Sequence, residues 1–305
     1  MDKYFALFSK GGLSLDRLRN FVLISDAGGL SRAAGRDPTR MSLFSKQIKE
    51  LESFFGTSLT IRQGRTMKFT EAGNQLAQLA RAYLSGLEDF QQNCKNAPQT
   101  ISIAAGNSVL EWLLLPQMAT LRRALPNTRF ELRSSRTADS VQDLNDMSVD
   151  LALVRQDAVV RPLKCNRLFV LNYSLFLPRR LAARINEDNL KASLQTIPLA
   201  TSVGGKFREQ LELAAAKAKW SLNIELSCSS FTQAARAVES GDYGGVLPGL
   251  ARSEFKAGDT VEFALPFLKS YARPIVLAWN PRLAAVRPVI EKAAGTMRVL
   301  ANKAA

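Results

Sequence analysis

The stretch 40–49, RMSLFSKQIK, sets Arg40, Ser42, Ser45, Lys46 and Lys49 around Phe44 and Ile48. At 3.6 residues per turn the two apolar side chains start an inward stripe. The others, Met41 among them, are expected to lie largely away from it. Cations interleaved with hydroxyls, with no carboxylate between them, are the donors that grip phosphate oxygens and base edges. Farther along, Arg62 and Arg65 bracket Gln63-Gly64, a tip suited to a backbone phosphate or a minor groove. Catalytic chemistry is poorly supplied by contrast. The chain has no histidine, which removes Ser-His and Cys-His pairs, the usual general base and the commonest metal ligand. Cys94, Cys165 and Cys228 are far apart and form no CxxC, so a disulfide framework and a cysteine zinc site are not expected, and three buried or half-buried thiols are. No enzyme activity, metal or cofactor is expected.

The elements that must position these residues follow from local signals. Leu15, Leu18, Phe21 and Val22 fall at helical spacing, and Gly28-Gly29 ends that helix. A short helix over Ser31–Arg36 carries Ala33 and Ala34, small enough for another helix to cross closely. Asp37-Pro38 breaks it. Thr39 is read as the N-cap of a helix over Arg40–Phe55, with Phe44, Ile48, Leu51 and Phe55 as its core stripe and Gly56 as its C-terminal stop. Residues 58–70 alternate as two short strands around Arg62–Arg65. Thr70 then caps a long helix with Glu71 in its first turn. Its positions Leu76, Leu79, Tyr83, Leu87 and Phe90 form a stripe expected to pack against another subunit.

After Asn96-Ala97-Pro98 the texture changes. Strand 101–106, a helix ending at Pro126, strand 129–135, helix 138–147 and strand 149–155 make a βαβαβ series, the pattern of a parallel sheet with helices on its faces. A second set follows, with LFVLNYSLFLP read as one strand. The expected organisation is an extension (1–14), a winged helix-turn-helix (15–70), a linker helix (71–97) and an α/β domain (98–305). Its lobe I covers about 98–167 and 269–305, and its lobe II about 168–268. No GxGxxG, P-loop, repeat or low-complexity tract occurs.

Charge agrees with a polyanionic partner. The chain of 305 residues carries a formal net charge of +14. Residues 15–70 hold ten Lys/Arg against five Asp/Glu, whereas residues 96–305 hold 27 against 18, so the positive charge is denser at the N-terminal end. No apolar run approaches the roughly 18–20 residues that span a bilayer. MDKYFALFSKGGLS does not read as a signal peptide, so a cytoplasmic location and no membrane contact are expected.

The string FVLIS…GGLSRAAGRD…SLFSKQIKELESFFGTSLTIRQGRTMKFTEAG resembles the N-terminal signature of the LysR-type transcriptional regulators. The likeness is close over residues 15–75. It continues in architecture, and at LLPQMATLRRALPN, VDLALVR, GGVLP and RPIVLAW, through the rest. The resemblance implies a winged helix-turn-helix on double-stranded promoter DNA, a dimerising linker helix, assembly as a homodimer or homotetramer, and a two-lobed effector domain like periplasmic binding proteins. By position Ser42, Ser45, Lys46 and Gln47 fall on the family's recognition helix and Arg62 and Arg65 on its wing. With Arg32, Thr39, Arg40, Met41 and Lys49 they make the expected DNA-binding set. Effector contacts are expected on loops after strands, at Asn107, Ser108, Thr137, Thr201, Ser202 and Ser229 to Thr232, Phe231 included. Asp37 and Thr39 stand where most members carry Leu and Val, and Arg40-Met41 where Ser-Gln is usual. A different base preference is therefore expected. The basic effector domain hints at an anionic small molecule. The competing reading, a solute-binding protein of the same two-lobed fold, would need export.

Overall fold

The computed structural model describes residues 5, 11–64, 66–183, 185, 186, 188–202 and 207–304, with side chains through 299. Most of the 1–14 extension, and Arg65, lie outside the described residues.

Helix α1 (Leu15–Asp26) starts where the Ser14 hydroxyl accepts the Arg17 amide and buries Phe21 and Ile24. Gly28 and Gly29, at φ 65° and 142°, turn the chain out of it. A single helical turn, α2 (Leu30–Ala33), leads to the main helix α3 (Pro38–Phe55). Its N-cap is Asp37 rather than Thr39. The Asp37 carboxylate accepts the Thr39 and Arg40 amides at 2.8 and 3.4 Å. Proline occupies the first helical position, where its missing N–H costs nothing and its fixed φ suits the helix. One dipeptide thus ends α2's segment and opens α3. Phe44, Ile48 and Leu51 form the buried stripe, while Phe55 is 40% exposed and does not join it.

Strands β1 (Thr60–Gln63) and β2 (Thr66–Phe69) pair antiparallel. Arg62 lies within β1, so the turn is tighter than the four residues expected. The Phe69 ring meets Phe21 edge-on at 5.3 Å, seating this wing on α1. Thr70 caps the long helix α4 (Glu71–Cys94) by accepting the Gly73 amide. A Cβ at Gly73 would stand 2.1 Å from the Leu59 carbonyl oxygen. Only glycine lets the helix start this close to the wing.

The remaining chain forms two five-stranded sheets. The first has the order β4-β3-β5-β12-β6, made of Thr128–Ser134, Gln99–Ala105, Leu151–Arg155, Arg273–Trp279 and Lys164–Leu171. Here β3, β4 and β5 run parallel as expected, but β12 is antiparallel to both its neighbours. The second has the order β11-β7-β10-β8-β9, made of Thr260–Ala264, Tyr173–Pro178, Gly244–Pro248, Leu199–Ser202 and Ile224–Cys228. The segment read as one strand, LFVLNYSLFLP, is thus two strands in different sheets. The chain crosses between lobes at Asn172, four residues later than expected, and returns between Ala264 and Arg273. Continuous hydrophobicity hides such a break, because strands buried on both faces read alike. Ile101, Ile103, Leu151 and Leu277 centre the core of lobe I; Leu175, Leu177, Leu199 and Val246 centre that of lobe II. Helix α5 (Asn107–Val109) runs through a π-helical turn, Leu110–Leu114, into α6 (Leu115–Ala124). Helix α7 (Thr137–Asn145) follows β4. Cys228 is buried, which pushes its thiol pKa up, but Cys94 and Cys165 are exposed, against expectation.

Candidate nucleic-acid interface and inter-lobe cleft

Helix α3 presents Thr39, Ser42, Lys46 and Lys49 to solvent on the side away from Phe44, Ile48 and Leu51. Its carboxylates are turned to structural work. Glu50 pairs with Arg17 at 2.5 Å. Glu52 Oε1 accepts the amides of Leu59 and Thr60 at 2.9 and 3.0 Å and the Thr60 hydroxyl at 3.2 Å. That gathering fixes the wing's position relative to α3. Several expected readers are placed differently. Met41 is half-buried and packs on the core of the unit. Its flexible apolar side chain suits irregular packing of this kind. Ser45 is half-buried, and Gln47 accepts from Asn20 Nδ2 at 2.8 Å. Arg40 is exposed, with its guanidinium 5.6 Å from the Phe44 ring centroid. Arg32 is exposed and donates to the Gly28 carbonyl at 2.7 Å. Arg62 is exposed on β1. Leu43, to which residue type alone assigns no role, stands 48% exposed on the same side as Thr39, Ser42 and Lys46.

On α4 the apolar stripe divides. Leu79, Tyr83, Leu87 and Phe90 are 53, 57, 50 and 67% exposed and follow one line along the helix. Leu76 is 8% exposed and belongs to the core of the winged unit instead, because the helix's first turns lie over Leu59 and Phe21. The opposite face of α4 carries two buried charges. Arg81 donates to the Asp26 carboxylate at the end of α1 and to the Asp146 backbone carbonyl after α7. Asp89 pairs with Arg287 at 2.7 Å. Arg287 also meets Asp150 and donates to the Thr100 carbonyl at 2.7 Å, and Asp150 accepts both the amide and hydroxyl of Ser102. Burial pushes the Asp150 carboxyl pKa up, while Arg287 and Ser102 pull it back. Arg81, Asp150 and Arg287 line one polar cleft of about 710 Å³ between α4, the winged unit and lobe I.

The expected effector residues stand at the C-terminal ends of β3, β4, β8 and β9. Asn107 and Thr232 meet across the lobes, Nδ2 donating to Oγ1 at 3.0 Å. Ser230 caps helix α8 (Phe231–Glu239) and shares a hydrogen bond with Thr232. Thr201 is 1% exposed, and its Oγ1 has no partner among the described residues. Ser202 and Ser108 are buried, and Thr137 is half-buried as the first residue of α7. Ser229 is committed locally, its amide and hydroxyl both donating to Gln233 Oε1 at 3.0 and 2.7 Å. Phe231 joins an aromatic group that the sequence does not announce. Its ring lies 4.8 Å from Phe207 and 5.8 Å from Tyr173, and Tyr173 lies 4.6 Å from Phe207 and 5.5 Å from Tyr271. Arg273 covers Tyr271 at 4.1 Å. Burial, then the neighbouring Tyr271, raises the Tyr173 phenol pKa, with Arg273 and Arg155 opposing. These rings come from both crossovers and from lobe II, spread over about 100 residues, so no motif joins them.

A winged helix-turn-helix carried on one long helix by a two-lobed α/β unit defines the class of a DNA-binding regulator with its own ligand-type domain. Residues 15–74 match the bacterial regulatory helix-turn-helix protein, lysR family, and residues 96–297 match the LysR substrate binding domain. The chain belongs to the LysR family of transcriptional regulators. The transcriptional activator IlvY of Haemophilus influenzae is 25% identical over 206 residues, 64% of this chain and 69% of that protein. Of other curated relatives, the regulators MetR and DgdR among them, the chain spans about half the length. A full-length OxyR variant from Pseudomonas aeruginosa shares the fold at TM-score 0.64 and 18% identity, covering 94% of this chain and 95% of that one. Full-length CbnR complexed with its target DNA shares it at TM-score 0.54 and 16% identity, over 92% and 100%. No helix among the described residues is long and apolar enough to cross a membrane.

Proposed function

We propose that this protein binds double-stranded promoter DNA in the cytoplasm as a homodimer or homotetramer and answers to a small molecule held between its lobes. The observation that carries the reading is the solvent face of α3. Thr39, Ser42, Lys46 and Lys49 stand exposed there, while the acidic residues of the helix are tied to Arg17 and to the wing. Such a face suits the major groove, which is about 12 Å wide and admits one helix. Lys46, Lys49 and Arg62 hold phosphates, Thr39 and Ser42 set register, and Arg40 contributes from the flank. Leu79, Tyr83, Leu87 and Phe90 pair two linker helices, since an apolar line of this length is stable only when covered. Asn107, Thr137, Thr201, Ser202 and Thr232 supply polar contacts to the effector and Phe231 an apolar one. The buried Thr201 hydroxyl, without a partner among the described residues, is the strongest support for a ligand there. An anionic effector fits the basic domain.

The test is duplex binding with DNA from the region upstream of the gene, across a salt series. Affinity for that DNA above random duplex, falling by about one log unit per log salt for each phosphate neutralised, is expected. Equal affinity for both at every salt concentration would refute the reading. Lys46→Ala should weaken all duplexes alike and lower the salt slope by about one. Leu79→Asp with Tyr83→Asp should leave a monomer in sedimentation. A thermal-shift series of small carboxylates tests the effector, as a ligand at 100 times its Kd stabilises by about 2.7 kcal/mol.

A further inference from the structure

The residue types of α3 direct attention to Arg40 and Met41 as the source of base preference, yet the structure withdraws Met41 and sets Arg40 to one side. Met41 packs half-buried on the core, and Arg40 leans over the Phe44 ring on the flank of the helix. What stands in the open instead is Leu43. It is 48% exposed in the second turn of α3, with Thr39 one turn before it, Ser42 beside it and Lys46 one turn after, all three exposed. A leucine ringed by a cation and two hydroxyls is not the edge of the core, since Phe44, Ile48 and Leu51 occupy the other side.

Once α3 enters a groove, an exposed leucine on its outer face is brought against the base edges. The major groove offers donors and acceptors on every base pair but an apolar group on only one base, the C5-methyl of thymine. Residues in the first turns of a recognition helix are those that reach base edges. We infer that Leu43 is a specificity-determining residue that packs on a thymine methyl, so that each half-site carries one thymine whose methyl group is read. This rests on the reading that α3 enters the groove. It adds which base α3 selects and by what atom.

The operator sequence is not required for the experiment. The full-length protein is used to select duplexes from a random library, and in the best of them each thymine is replaced in turn by uracil, which deletes only the methyl. One replacement per half-site should weaken binding about fourfold, the worth of one buried methyl-sized group. With Leu43→Ser the same replacement should cost less than about twofold, because the apolar partner is gone. The salt slope of Leu43→Ser should match that of the parent, since no phosphate contact is removed, and an unchanged melting curve would show the helix intact. Uniform tolerance of uracil by the parent, or undiminished sensitivity in Leu43→Ser, would overturn the assignment while leaving DNA binding by α3 standing. A selection that enriches nothing would overturn both.

Discussion

The two lobes share a plan of five strands with helices on their faces, but they are held to the rest of the molecule by different physics. Lobe I is bound to the linker helix by buried charge. Arg287 bridges Asp89 on α4 to Asp150 on the lobe, with both sides of each pair 8% exposed or less. Arg81 adds a second tie, from α4 to the end of α1 and to the segment after α7. Lobe II is held to lobe I by apolar packing and single hydrogen bonds. Trp112 inserts into an apolar cluster of lobe II and donates to Glu254 at 2.8 Å, Asn107 meets Thr232, and aromatic rings gather at the crossovers. Removing one member of a buried ion pair strands a charge, whereas loosening a hydrogen bond between lobes costs about 1 kcal/mol. The contrast predicts that lobe I holds to α4 more firmly than lobe II holds to lobe I.

The largest effect should come from Arg287→Leu, which leaves Asp89 and Asp150 buried without a counter-charge. A loss of about 3–5 kcal/mol is expected in denaturant unfolding, and a loss under about 1 kcal/mol would erase the contrast between the lobes. The pH response has a definite sign. Burial already pushes the Asp150 carboxyl up, and removing Arg287 removes a group that pulls it down. A carboxyl whose folded pKa exceeds its unfolded value favours the folded state at low pH, and that advantage is lost as pH rises through the folded pKa. The variant should thus be closest to the parent in acid and farthest from it at neutral pH. Trp112→Phe should cost about 2 kcal/mol, read as earlier unfolding of lobe II, because a hydrogen bond to a carboxylate is lost. Unfolding of both lobes together would show that the lobes are coupled more tightly than their contacts suggest. The smallest effect is expected of Asn107→Ala. Faster hydrogen exchange around Thr232, corresponding to about 1 kcal/mol, should appear with global stability unchanged.

Much of the DNA-facing half is legible in the sequence, since its signals act over a few residues. Thr70 and Gly56 cap or stop their helices as residue type predicts, and the two-strand wing lies within the expected span. Residue type does not single out Asp37, because a hydroxyl two residues on looks equally able to cap. Geometry chooses the carboxylate, which lies just before a proline that opens the helix. The inter-lobe region is far less legible. Asn107 and Thr232 are 125 residues apart, and Asp89 and Arg287 are 198 apart, so no spacing rule joins them.

The sequence by itself determined the Thr70 cap of α4, the Gly56 stop of α3, the inner residues Phe44, Ile48 and Leu51 of its stripe, the family, and the lack of any histidine-based chemistry, because each depends on composition or on neighbours within about one helical turn. Only the tertiary structure decided that Leu76 turns inward while Leu79 stays out, that Met41 packs and Leu43 does not, and that the chain changes sheet at Asn172. Burial is a property of what lies opposite a residue. For this protein, what lies opposite comes from elements the local pattern cannot see.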